Sequence, residues 1–147
     1  MEIVSVEKIP RQTKEVLDLA EAHKIFRGLR KICDQYNALG INATQVGIDL
    51  NLFLVKTNNR YRCFINCNYC TTTDEIVYGI EGCLSLPNQL YRVKRFKEIR
   101  VIGQELVLRD KKPTTKLVDF VTNDVVFAHE LDHSRGILIS DIGLQVK

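Results

Sequence analysis

The sequence lacks any apolar run near the ~20 residues that a membrane-spanning helix needs. It also lacks an internal repeat, a low-complexity tract and a long block of one charge sign. The formal net charge of +3 is too small to predict binding to nucleic acid. Residues 1–10 contain no apolar stretch typical of an export signal. We therefore expect a cytoplasmic globular protein that binds neither a membrane nor nucleic acid directly.

Histidine is scarce and cysteine is odd in number, with three histidines and five cysteines. An odd cysteine count without an export signal favours reduced thiols over a disulfide framework. Hydrophobic residues at 45% and charged residues at 27% are ordinary for a globular domain. The length of 147 residues matches one domain. Residues 1–147 are therefore predicted to form a single domain.

Hydrophobic spacing predicts an α+β fold. Apolar residues three and four apart predict an N-terminal amphipathic helix over residues 13–37. A second helix is predicted over residues 122–135, because Thr122 or Asn123 can cap its start and Gly136 can end it. Between the helices, the pattern predicts short, mostly antiparallel strands at 51–56, 60–66 and 98–108, a mixed segment at 78–86, a turn at 109–113 and a short strand or lead-in at 116–120. The second helix is expected to carry the chemistry.

The sharpest local signal is the HELDH segment at residues 129–133. Positions four apart share one face of a helix, so His129 and His133 can each offer a ring nitrogen to one metal ion. Glu130 follows the first ligand directly and can take a proton from a metal-bound water. Two of the three histidines form this pair. We therefore interpret the segment as a ligand pair rather than as two packed or solvated side chains, and His23 is given no role.

Two histidines leave such a site incomplete, because catalytic sites of this kind usually take three protein ligands. Ile139 stands where one class of metalloprotease has its third histidine. No glutamate follows His133, only Asp141. The third ligand is therefore Asp141 or an upstream residue. A thiolate is the natural candidate, because soft sulfur binds Fe, Co, Ni and Zn well.

Three separated motifs make the chain resemble the peptide deformylase family. EGCLS at residues 81–85 and HELDH at 129–133 match the family's EGCLS and HExDH motifs, and ALGINATQ at 38–45 resembles its GxGLAAxQ loop. Weaker matches at 64–66 and 93–95 extend the resemblance over nearly the whole chain.

The chain departs from the family pattern at a few positions. Ala38 and Asn42 stand where the loop motif has glycine and alanine, and Ala128 stands where a glutamine usually precedes the first histidine. The tail after His133 is short, as in phage-type members of the family. These departures keep open a third interpretation, in which the fold is retained and the activity is weakened or redirected.

The resemblance implies a metal-dependent hydrolase that removes the N-formyl group from the initiator methionine of nascent polypeptides and releases formate. It implies Cys83, His129 and His133 as ligands of one divalent ion, natively Fe(II), for which Zn, Ni or Co can substitute. A metal-bound water would attack the formyl carbon, with Glu130 as general base and then acid.

The resemblance also implies how the substrate is held. The oxyanion would accept hydrogen bonds from the Gln45 side-chain amide and the Leu84 backbone N–H. The residues expected along the substrate are Leu39, Gly40, Ile41, Gly82, Arg95, Val125 and Val126. Of these, Ile41, Val125 and Val126 are candidates for the methionine pocket, although the two valines equally suit core packing. The implied partner is a formyl-methionyl peptide, the substrate. The protein is expected to be a monomer that acts in transient proximity to the ribosome of a bacterium or phage-infected host.

Two other functions compete with this one. Cys63, Cys67 and Cys70 form C-x3-C-x2-C, which resembles the iron–sulfur loop of radical S-adenosylmethionine enzymes. That function needs a barrel larger than this chain and leaves both EGCLS and HELDH unexplained. The other alternative is a non-catalytic module in which Cys67, Cys70 and the histidines bind a structural zinc.

Overall fold

The fold consists of two antiparallel β-sheets and three α-helices. The computed structural model describes residues 1–147. The helices are α1 (Leu19–Tyr36), α2 (Val125–Ser134) and α3 (Ile139–Ile142). The strands are β1 (Gly40–Asn42), β2 (Leu52–Thr57), β3 (Arg60–Thr71), β4 (Ile76–Cys83), β5 (Leu86–Phe96), β6 (Ile99–Arg109), β7 (Lys112–Thr122) and β8 (Leu144–Val146). Short 3-10 turns lie at Val6–Lys8 and Ala43–Val46. The predicted α+β class is confirmed.

The two sheets meet at helix α2. The larger sheet has the strand order β1-β2-β3-β6-β7, and the smaller has the order β4-β5-β8. Every strand pairing in both sheets is antiparallel. Helix α2 packs against β1, β2 and β3, while the end of β4 approaches the same helix from the smaller sheet. This arrangement brings residues far apart in sequence to one place.

Helix α1 begins at Leu19 rather than near residue 13. The backbone around Lys14 is engaged elsewhere, since its N–H donates to the carbonyl of Asp49 at 2.7 Å. Asp18 then caps the helix by accepting a backbone N–H of the first turn. Asn37 ends the helix in a left-handed conformation, with φ of 50°.

Several strands are longer than predicted. Strand β3 was predicted to end at residue 66 but continues to Thr71. The strand accommodates an irregularity at this point, since Asn66 has a φ of 54° and the pairing with β6 shifts between Ile65 and Asn68. Strand β7 occupies all of Lys112–Thr122. The predicted turn before β7 is present, with positive φ at Asp110 and Lys111.

Strands β1, β5 and β8 and helix α3 were not predicted from the sequence. Strand β5 begins at Leu86-Pro87-Asn88, and residues of this kind are typical of turns. Asn88 does have a positive φ of 61°, yet the chain continues as a strand. Helix α3 and strand β8 are too short to leave a periodic pattern, with four and three residues.

Helix α2 is held in the core. It is capped by Asp124, whose side chain accepts the N–H of Val126, and not by Thr122 or Asn123 as predicted. Gly136 follows the helix with a φ of 79°. The Phe127 ring packs edge-on against three rings of the larger sheet: Phe53, Phe64 and Phe120. No helix combines the length and the apolar character that crossing a membrane requires.

Candidate metal centre and active site

Cys83, His129 and His133 converge where the two sheets meet at α2. Their candidate ligand atoms all lie within 4.8 Å of one another. The Cys83 sulfur is 3.4 Å from Nε2 of His133. The α-helical spacing places both rings on one face, with centroids 5.1 Å apart. One thiol and two imidazoles form a donor set that suits a divalent transition metal.

A buried ion-pair network orients the first of these histidines. Glu81 Oε1 lies 2.9 Å from Nδ1 of His129. The same carboxylate accepts two hydrogen bonds from Arg95, which also pairs with Asp132 at 2.6 Å. Burial alone would raise the pKa of Glu81, but the hydrogen bonds from His129 and Arg95 lower it to about 2. An ionised Glu81 only accepts, so Nδ1 carries the proton and Nε2 is free for an ion.

Tyr69 extends this ion-pair network beyond Asp132. Its hydroxyl donates to Asp132 at 2.7 Å, and burial raises its pKa to about 12. The Arg135 guanidinium lies 3.9 Å from the centre of the Tyr69 ring. The aspartate inside the HELDH segment therefore pairs with Arg95 and Tyr69 and lies outside the candidate ligand group.

Glu130 is buried beside the three candidate ligands. Its side chain is 3% exposed, and Oε1 has no hydrogen-bond partner. Burial raises the pKa of Glu130 to about 7. A Cβ atom at Gly40 would lie 2.8 Å from Oε2, so only glycine allows this close approach. A buried carboxylate oxygen without a partner suits a site that receives a water and a metal ion.

Gln45 presents its amide N–H group to the same place. The 3-10 turn Ala43–Val46 holds it, and Oε1 accepts the backbone N–H of Asn42 at 2.9 Å. Nε2 donates to Ser85 Oγ at 3.0 Å and approaches the Cys83 sulfur at 3.4 Å. Leu84 lies between these two residues of the EGCLS segment and lines the cavity. The amide donor is thus oriented without any ligand.

A cavity of about 920 Å³ opens over this group. Five of the residues predicted along the substrate lie in its wall: Leu39, Gly40, Gly82, Val125 and Val126. Further apolar wall residues were not predicted from the sequence: Ile3, Tyr36, Ile80, Leu86 and Leu90. All five lie outside the three motifs, and only the folding of distant segments brings them here.

Two predicted substrate residues lie elsewhere. Ile41 is fully buried in the core under α1, because successive residues of β1 point to opposite faces and Gly40 takes the cavity side. Arg95 is 6% exposed and is held by Glu81 and Asp132. The predictions that Ile41 forms the methionine pocket and that Arg95 meets the peptide are therefore wrong.

The cysteines of the competing functions do not form a site. Cys63 and Cys67 are buried in the larger sheet, whereas Cys70 is exposed. Burial raises the pKa of Cys63, and it raises that of Cys67 to about 11. The three thiols do not gather as metal ligands, either with one another or with the histidines. Neither the iron–sulfur cluster nor the structural zinc is supported.

The family model of polypeptide deformylase matches residues 2–145. The chain belongs to the polypeptide deformylase family. Peptide deformylases are metallohydrolases that use a divalent metal and remove N-formyl groups from nascent chains. The family predicted from the three motifs is confirmed.

Individual peptide deformylases support this membership. The one of Borreliella burgdorferi is 30% identical over 133 residues, which cover 88% of this chain and 78% of that protein. The one of Thermotoga maritima is 33% identical over 106 residues, which cover 72% of this chain but only 62% of that protein.

Solved structures extend the similarity along the chain. The crystal structure of the Thermotoga maritima peptide deformylase aligns with a TM-score of 0.83 at 25% identity, covering 96% of this chain and 95% of that one. A probable peptide deformylase from synechococcus phage S-SSM7 aligns with a TM-score of 0.78 at 28% identity. That alignment covers 96% of this chain and 98% of the phage chain.

Proposed function

We propose that this chain removes the N-formyl group from the initiator methionine of nascent polypeptides by metal-dependent hydrolysis, releasing formate. One observation carries the proposal. A thiol, two imidazoles and a buried carboxylate without a partner converge at the base of a cavity large enough for a peptide end.

Cys83, His129 and His133 would hold a single divalent ion. When bound, such an ion activates water and polarises a carbonyl oxygen. Fe(II) as the native ion follows from the resemblance to the family, and Zn, Ni or Co fit the same donors. Glu81 supports this role, because it keeps His129 in the tautomer that leaves Nε2 unprotonated.

Glu130 would act as general base and then as general acid. It accepts a proton from the attacking water and delivers it to the leaving amine. Its position beside the ligands and its pKa, raised by burial to about 7, suit a group that must both take and return a proton near neutral pH. A side chain at position 40 would collide with this carboxylate, so Gly40 leaves the room that Glu130 occupies.

Gln45 and Leu84 would stabilise the oxyanion that forms on the formyl oxygen. The Gln45 Nε2 donor is fixed before substrate arrives, which lowers the cost of reorganising it during the reaction. The Leu84 backbone N–H would be the second donor. Its position directly after Cys83 supports that role.

The cavity wall would bind the formyl-methionyl end. Val125 and Val126 provide apolar surface for the methionine side chain, and Leu39, Gly40 and Gly82 lie where the peptide backbone would pass. We propose that the protein acts as a monomer. We further propose that residues 1–147 fold as a single domain. The protein would act in the cytoplasm of a bacterium or phage-infected host, in transient proximity to the ribosome where nascent chains emerge.

Formate release from formyl-Met-Ala-Ser tests the proposal. The protein is purified without oxygen in the presence of Fe(II) or Ni(II), and formate is measured with time. We expect turnover by the wild type and its loss in Cys83→Ala together with the bound metal. Cys70→Ala, which alters an exposed thiol, should leave both unchanged. A folded, metal-loaded wild type that releases no formate would contradict the proposal.

A further inference from the structure

Asn42 occupies a position where the GxGLAAxQ loop motif of the family has alanine, and its side chain is completely buried. All four hydrogen-bonding positions of its amide are used. Nδ2 donates to the Glu130 carbonyl at 2.9 Å and to Ser134 Oγ at 2.8 Å. Oδ1 accepts from the backbone N–H and the hydroxyl of Thr44, both at 3.0 Å. A buried amide with every partner in place defines a single local geometry.

These bonds connect two parts of the candidate active site. The backbone N–H of Asn42 donates to Oε1 of Gln45, so the same residue also fixes the oxyanion donor. Its side chain meanwhile donates hydrogen bonds to helix α2 at the backbone carbonyl of Glu130 and, one turn later, at the hydroxyl of Ser134. Asn42 therefore bonds both to the side chain of Gln45 and to the backbone of Glu130.

We propose that Asn42 is a positioning residue that holds Gln45 in register with Glu130. This inference rests on the proposed function. An alanine would keep the backbone N–H but would release the turn from α2, so that Gln45 and Glu130 could shift relative to each other. A misplacement near 1 Å can lower a rate about 100-fold. The effect belongs to kcat, because the alignment matters most when charge develops on the formyl oxygen.

Turnover of formyl-Met-Ala-Ser by wild type, Asn42→Ala, Gln45→Ala and the double variant provides the test. We expect Asn42→Ala to lose between about 10- and 100-fold in kcat, with KM nearly unchanged. The double variant should be no slower than Gln45→Ala alone, because one residue acts through the other. The bound metal per chain and the midpoint of thermal unfolding are measured for each variant.

Two further variants separate positioning from stability. Asn42→Ala leaves the Ser134 hydroxyl buried without its donor, which destabilises the fold. Asn42→Ala/Ser134→Ala removes that hydroxyl, so it should recover thermal stability without recovering kcat. Asn51→Ala is the matched control. It removes a half-buried amide that pairs with the Cys67 backbone, away from the cavity, and should lower stability while preserving kcat.

The possible results distinguish this inference from the function on which it rests. An inactive, metal-loaded wild type would overturn both. An active wild type whose kcat is kept in Asn42→Ala would overturn the positioning role alone. The positioning role would also be overturned if the kcat losses of Asn42→Ala and Gln45→Ala multiplied in the double variant. It would likewise be overturned if kcat recovered together with stability in Asn42→Ala/Ser134→Ala.

Discussion

Glu81 lies 2.9 Å from Nδ1 of His129, so that the ring can offer only Nε2 to an ion. The glutamate of the EGCLS segment and the first histidine of HELDH are thus one unit, although 48 positions separate them in sequence. Arg95 holds the glutamate in turn, and Asp132 holds Arg95. Residues outside the ligand set therefore determine how a ligand is presented.

Removing the charge of Glu81 should weaken metal binding. In Glu81→Gln, the imidazole loses its anionic acceptor, and partners of this kind typically change metal affinity about 10- to 100-fold. Competition with a coloured chelator measures the affinity. Glu105→Gln is the control, since that buried carboxylate pairs with Arg62 away from the site. Equal affinities in wild type and Glu81→Gln would show that the contact is incidental.

Arg95 should be important for stability rather than for substrate binding. Arg95→Ala leaves Glu81 and Asp132 as buried carboxylates without their cation, and breaking a buried pair in this way costs about 3–5 kcal/mol. Urea unfolding measures the change. Arg100→Ala, which breaks an exposed pair with Asp119, should have a much smaller effect. Similar losses in both variants would contradict the account.

Bound metal should protect one cysteine from alkylation. Cys70 is exposed and should react with iodoacetamide under all native conditions, whereas Cys63 and Cys67 are buried and should not react. Cys83 should react only after the metal is removed with a chelator, because a ligating sulfur is not available as a nucleophile. Mass spectrometry of peptides identifies the modified residues. Alkylation of Cys83 at the same rate with and without metal would argue against its role as a ligand.

The sequence allowed the histidine pair to be predicted because the necessary geometry is local. Two histidines four apart on a helix must share a face, whatever the rest of the fold does. The place of Cys83 came from the family resemblance, since no spacing rule links it to residues that follow 46 positions later. The α+β class likewise followed from local periodicity in the helices and the longer strands.

What the sequence did not reveal depends on tertiary packing. Arg95 looks like a surface cation within an alternating strand, and only the fold places Glu81 and Asp132 around it. Ile41 and Gly40 are neighbours, and the face that each takes depends on how β1 pairs with β2. Asn42 appeared only as a departure from the motif, because its bonds to α2 connect positions about 90 residues apart.

Glu130→Gln, assayed for metal content and formate release together, separates proton transfer by Glu130 from metal binding. The amide keeps the size of the side chain but cannot accept the proton. We expect a metal content equal to that of the wild type and a turnover lower by about 100- to 10,000-fold. A metal-loaded Glu130→Gln variant that releases formate at the wild-type rate would contradict the assignment of Glu130, and with it the proposed mechanism.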